Sequence, residues 1–391
     1  MKHFYTRRDF LKVINIGTLG VFISFPKQIE IKELIVYVGT YTSGDSEGVY
    51  ICRLDLSSGK LALVKTVKGL VNPSFLAIAP QYRYLYSVNE VMKFDGRSGG
   101  AVSAFSINQK TGDLTFLNQQ ATRGAAPCHL IVDRTGRFVL AANYGGGNVS
   151  VFPVLSNGGL GAMTDFVQHH GSGLDAKRQE APHAHSIIMA PSNRYAFAAD
   201  LGIDKIMIYK FDTEKGKLSP NDEPSVVLKP GAGPRHFTFH PNGKYAYVIN
   251  ELNSTITAFL YNETRGSLKE VQTVSTLPED FSGENTCADI HVSPSGKFIY
   301  GSNRGHDSIV IFSIDAQTGK LTFVGHEPTQ GRIPRNFAID PTGTFLLAAN
   351  RRSNNIVTFR INSQTGKLIP TGSVIEIPSP VCIKMIPFSY K

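Results

Sequence analysis

Apolar residues along this chain fall in short alternating runs, and outside the first 27 residues no window keeps a helical spacing. Tyr245-Ala246-Tyr247-Val248-Ile249-Asn250 and Thr255-Ile256-Thr257-Ala258-Phe259-Leu260-Tyr261 are representative. A period of two marks a strand whose faces are buried to different degrees. The Gly, Pro and Asn clusters between the runs are turn signals. Residues 236–240, 245–250, 255–261 and 267–271 therefore predict one four-stranded antiparallel meander.

The meander repeats. A turn made of a polar residue, Gly, any residue and Leu occurs seven times at intervals of about 50 residues, with its glycines at Gly59, Gly112, Gly158, Gly216, Gly266, Gly319 and Gly366. A fixed period in this range signals a solenoid or a propeller. A second turn, of the type Pro341-Thr342-Gly343-Thr344-Phe345, occurs six times: at 80–84, 134–138, 191–195, 241–245, 294–298 and 341–345. The last unit stops near Pro387, where its second strand is due, while Leu34-Ile35-Val36-Tyr37-Val38-Gly39 at the other end looks like a second strand without a first. Completing the last unit with the N-terminal strand closes a ring and removes a free sheet edge. The expected fold is all-β, a seven-bladed β-propeller over residues 34–391, with residues 1–33 a signal segment and linker.

In a propeller the first strand of each blade lines the central channel. The start of that strand and the end of the next lie at one face, because the two form a hairpin. Aligned strand starts are Ser74, Cys128, His185, Arg235, Ala288 and Arg335. The ends of the second strands read Asn89-Glu90, Asn143-Tyr144, Asp200-Leu201, Asn250-Glu251, Asn303-Arg304 and Asn350-Arg351. One mouth of the channel should therefore gather His185, Arg235, Arg335, Arg304, Arg351, Glu251 and Glu90. Arginine grips carboxylate or phosphate through paired hydrogen bonds, so an anionic ligand is expected there. The repeated Asn or Asp reads chiefly as a turn brace.

His183 and His185 alternate on one strand with His236 conceivably near, but no third and fourth zinc ligand can be placed, and no metal is expected. Gly145-Gly146-Gly147 precedes no helix and is not a phosphate loop. No Gly-x-Ser-x-Gly elbow occurs, and no Ser or Cys stands beside a His with evident nucleophile geometry.

Composition changes the picture at the N-terminus. Thr6-Arg7-Arg8-Asp9-Phe10-Leu11-Lys12 followed by a modestly apolar stretch matches a twin-arginine export signal. The twin-arginine translocase is then a partner and the periplasm the address, with membrane anchorage the alternative because no clean Ala-x-Ala cleavage site follows. These first 27 residues hold +4 of the net +9. The remainder is only mildly basic, without a dense Lys/Arg run, and nucleic acid is not an expected partner. The four cysteines are scattered without a CxxC pair and read as buried free thiols.

Tyr37-Val38-Gly39-Thr40-Tyr41, Gly233-Pro234-Arg235-His236, Asn250-Glu251 and Pro334-Arg335-Asn336-Phe337 resemble the bacterial 6-phosphogluconolactonase family of seven-bladed propellers, over about residues 34–391. That family also includes a fungal carboxy-muconate lactonizing enzyme. The resemblance implies hydrolysis of a sugar-acid lactone, without metal or cofactor. Matched by motif, it implies a catalytic set of His185, Arg235, Glu251 and Arg304, with either His185 or Glu251 as general base. Arg335, His183, His236 and Asn143 are the accompanying candidates for substrate binding, and a monomer is expected. The leader sits poorly with a phosphorylated lactone made in the cytosol, and an unphosphorylated or oxidised sugar lactone suits the address better. A non-catalytic exported propeller that binds carbohydrate or an envelope protein, and a muconate-type cycloisomerase, are the competing readings.

Overall fold

The computed structural model describes residues 31–388. The twin-arginine motif lies outside the described residues. Seven four-stranded antiparallel sheets form the blades of a propeller. Blade 4 shows the plan, running outward from Pro234–Phe239 through Tyr245–Asn250 and Thr255–Asn262 to Ser267–Ser275. Blade 7 is composite. Its innermost strand is the C-terminal Pro380–Phe388, and the N-terminal segment supplies the other three, Glu33–Thr40, Gly48–Asp55 and Leu61–Lys68. The ring thus closes as expected, and Glu33 to Val38 pair in unbroken register with Phe388 to Ile383.

The hydrophobic core lies between blades. Tyr245, Tyr247 and Ile249 of blade 4 pack against Ile299, Val310 and Phe312 of blade 5. Tyrosines on the second strands add polar ties: the hydroxyls of Tyr37, Tyr86, Tyr247 and Tyr300 donate to the carbonyls of Gly112, Gly158, Gly319 and Gly366 in the following blade, at 2.8–3.1 Å. These buried hydroxyls consequently have partners, as burial demands.

The recurring glycine turn has a packing cause. Each of the seven glycines has φ between 62° and 86°, and six of them lie against an aromatic ring at the start of the preceding blade's second strand. A Cβ on Gly266, for example, would come within 2.4 Å of the Tyr195 ring. The leucine two residues on then enters the core, as Leu268 does. Gly266→Ala is expected to lower stability by about 1–3 kcal/mol, through left-handed backbone strain plus displacement of the ring. Gly372→Ala shares the strain (φ 80°) but has open space around it. The difference between their urea midpoints measures the packing part, and equal midpoints would remove it.

The four cysteines are buried free thiols.

Candidate active site

The inner strands begin with a repeated irregularity. The pairs Pro127–Asn143, Ala184–Asp200, Pro234–Asn250 and Pro334–Asn350 are each followed by a register shift that leaves one inner-strand residue unpaired: Cys128, His185, Arg235 and Arg335. In blade 5 the shift takes in Ala288 and Asp289. A bulge breaks the alternation of side chains and re-aims the extra residue. This is why sequence neighbours Arg235 and His236 both face the channel, with Arg235 Nη1 3.2 Å from His236 Nε2.

Glu251, at the end of blade 4's second strand, is the hub of the mouth. Its Oε2 accepts from Arg235 Nε at 2.9 Å and Arg304 Nη2 at 2.8 Å, and its Oε1 accepts from Arg178 Nη2 at 2.5 Å. Burial alone would raise this carboxyl, but Arg304, Arg235 and Arg178 outweigh it and hold it well below the usual carboxylate range. Burial, with Arg335 and Arg304 close by, pulls the Arg235 guanidinium down to about 10, so it remains charged at neutral pH. Arg235 Nη1 also donates to the Ala288 carbonyl, and Arg304 Nη2 to that of Cys287. Arg304 Nε–H is buried and, among the described residues, meets no acceptor.

On the other side of the mouth, Arg335 donates to the Tyr41 hydroxyl at 3.0 Å, and Tyr41 donates to Glu90 at 2.9 Å. Ser74 also donates to Glu90. Arg351 lies over the Tyr41 ring, 4.8 Å from its centroid. The mouth therefore sets five guanidinium groups against two carboxylates. Its electrostatic character is positive.

His185 sits between these halves, 4% exposed, edge-on to Tyr144 and His236. Burial, then Arg235, His236 and Arg335, push its imidazolium well below the usual range, so the ring is neutral at neutral pH. No thiol showed an evident nucleophile geometry with a histidine in the sequence, yet the bulge brings Cys128 Sγ to 3.7 Å from His185 Nδ1. Burial pushes this thiol up, leaving it protonated and a poor nucleophile.

This is a channel mouth lined by bulged residues from several blades, in a chain whose residues 35–385 match the family model "Lactonase, 7-bladed beta-propeller". The chain belongs to that family. A 6-phosphogluconolactonase of Bacillus subtilis is 43% identical over 352 residues, covering 90% of this chain and 98% of that protein. One from Formosa agariphila is 39% identical, over 78% of this chain and 86% of its own length. Among solved structures, a periplasmic gluconolactonase of Pseudomonas aeruginosa superposes with a TM-score of 0.85 at 32% identity, covering 90% of this chain and 99% of that one.

The other candidates in this lactonase-family site divide by position. His183 stacks on Tyr144 at the rim, and both its ring nitrogens are engaged, with the Tyr144 carbonyl at 3.0 Å and Glu180 at 3.2 Å. His236 lies one layer deeper, its Nδ1 2.7 Å from Asp289. Asn143 is fully buried, and its amide donates to Asn148 and Ser150, bracing the turn that joins its strand to the next. It stands behind the mouth rather than in it. Among the described residues no group of three His, Cys, Asp or Glu side chains converges as a metal site.

Arg178 is the residue of the mouth that sequence reasoning missed. It comes from residues 169–183, the long connection between blades 2 and 3. Within Lys177-Arg178-Gln179 it reads as an ordinary solvated charge. The connection is tied down by His169 to Asp200 at 2.5 Å and by Gln179 to Asp204 and the Leu201 carbonyl at 2.8 Å. Its length was the available signal, since loops beyond about 12–15 residues are commonly functional.

Proposed function

We propose that this chain hydrolyses a sugar-acid lactone at the mouth of its channel, with His185 as general base. The observation that carries this reading is a buried neutral imidazole held among guanidinium groups. His185 can take a proton from an attacking water, and the imidazolium can return it to the ring oxygen as that oxygen leaves as an alkoxide. Arg235 and Arg304, with Arg335, would stabilise the oxyanion that forms on the carbonyl oxygen and bind a carboxylate or phosphate on the substrate. Glu251, already gripped by three arginines, is too weak a base for the first role and instead holds two of those arginines in place. A lactone needs little more than positioning and modest proton transfer, so no covalent intermediate is invoked.

The pH profile follows from His185. The active form is the neutral ring, and its protonation is displaced downward, so kcat/KM should stay level as pH falls through the ordinary imidazole value of about 6.5 and decline only below it. A midpoint at or above that value, after subtraction of spontaneous hydrolysis, would contradict the assignment.

Export through the twin-arginine route belongs to the same reading. It is supported by the motif at residues 6–12 and by the periplasmic address carried in the name of the Pseudomonas relative. It favours an unphosphorylated aldonolactone. The deciding experiment is proton release with glucono-δ-lactone and its 6-phosphate, against an Arg235→Ala control. Acceleration that is lost in the control is expected, and the faster lactone identifies the substrate. If neither lactone is hydrolysed faster than in buffer, the lactonase reading fails for this substrate class.

A further inference from the structure

Below the mouth, toward the far ends of the inner strands, the channel widens into a cavity of about 330 Å³. Phe75 and His236 form the partition, since both face this cavity and the mouth above it. We propose that the cavity is a second ligand site, for a small oxyanion of the carboxylate or phosphate class.

Its walls are mixed. Ile131, Ile188 and Met385 supply apolar surface, while Lys384, His129 and His291 supply nitrogen. The Lys384 ammonium lies 4.7 Å from the centre of the Phe75 ring. Among the described residues it has no hydrogen bond and no carboxylate partner within ion-pair distance. His129 lies tilted against the same ring, with centroids 4.2 Å apart, and is 6% exposed. Its Nδ1 accepts from the Ile187 backbone N–H at 3.4 Å, so the neutral ring carries its proton on Nε2. Among the described residues no acceptor meets that nitrogen. His129 lines the cavity, so this N–H is available to an oxygen of a ligand there.

The carboxylate in this cavity, Asp289, does not serve Lys384. It accepts from His236 at 2.7 Å, His291 at 2.9 Å and the Ile290 N–H at 3.0 Å, and from Asn336 as well. Its lone pairs are thus committed to the partition and the neighbouring strands. His291 uses Nε2 for that contact. Positive charge, directed N–H groups and low-dielectric walls together describe an anion site. The volume falls at the small end of the range for ligand cavities, about 300–1,000 Å³.

The test uses the purified full chain. Crystals grown with selenate should show anomalous density between Lys384 Nζ and His129 Nε2, separate from any density at the arginines of the mouth. In solution, calorimetric titration with inorganic phosphate should show a binding event that weakens at least tenfold in Lys384→Met and persists in Arg335→Met. Repeating it with gluconate distinguishes the ion's source: competition with phosphate for the same event marks a product acid, and its absence a free inorganic anion. Selenate density confined to the mouth, or absent, would overturn the proposal. So would a folded Lys384→Met protein that titrates like the wild type.

Discussion

Replacing His185 with Gln is expected to lower kcat by about 10²–10⁴-fold, the usual worth of a general base, while KM changes little. The amide fills nearly the same space and can still hydrogen-bond, but it cannot carry a proton at neutral pH. The site around it should persist, because Glu251 and its arginines do not depend on the imidazole for their hydrogen bonds. The acid limb of the pH profile should disappear along with the lost rate. Initial rates of proton release across pH, corrected for spontaneous hydrolysis, measure both effects. A variant that kept its turnover number would remove His185 from the proton-transfer role and return Glu251 to consideration.

Glu251→Gln is the second large effect, and it reaches stability as well as rate. Removing this carboxylate leaves Arg235, 2% exposed, and Arg304 buried beside one another without their shared anion. Breaking a buried pair in this way typically costs about 3–5 kcal/mol. Arg178 is half-exposed, and Arg178→Met should cost much less, nearer the ~0–1 kcal/mol of a surface pair. The rate should fall as well, since a misplacement of about 1 Å in positioning groups can cost ~10²-fold. Urea unfolding of the three proteins gives the comparison, and a Glu251→Gln midpoint equal to the wild type would refute the hub assignment. The pH dependence has a definite sign. The Glu251 carboxyl is depressed in the folded state, so its contribution is complete above the unfolded value of about 4.3. It is lost as pH falls through the lower folded value.

The propeller was legible because its signals are local and repeated. The glycine turn has positive φ in every blade and an aromatic ring against it in six of the seven, so it survives as a motif. Strand exchange at the ends was legible from a count, six inner turns against seven outer ones. The mouth was legible from hairpin geometry, which placed His185, Arg235, Glu251, Arg304 and Arg335 on one face. What a period of two cannot show is a bulge. The one-residue slips at Cys128, His185, Arg235 and Arg335 decide which side chains turn into the channel. They also bring Cys128 to His185. Arg178 was hidden for a different reason: a loop's destination depends on partners outside it, here Asp200 and Asp204 for its anchors and Glu251 for Arg178 itself. Asn143 shows the converse, a polar residue at the right end of a strand whose side chain braces the turn behind it.

The composite blade joins segments from opposite ends of the described residues. Pro380–Phe388 leaves the ribosome long after its partner Glu33–Thr40. Tyr41 follows that early strand directly and meets Arg335, 294 positions later. Until Pro380–Phe388 docks, Glu33–Thr40 exposes an open edge. Pairings of such sequence separation form slowly. A chain interrupted before residue 380 would hold six intact blades and lack the inner strand of the seventh.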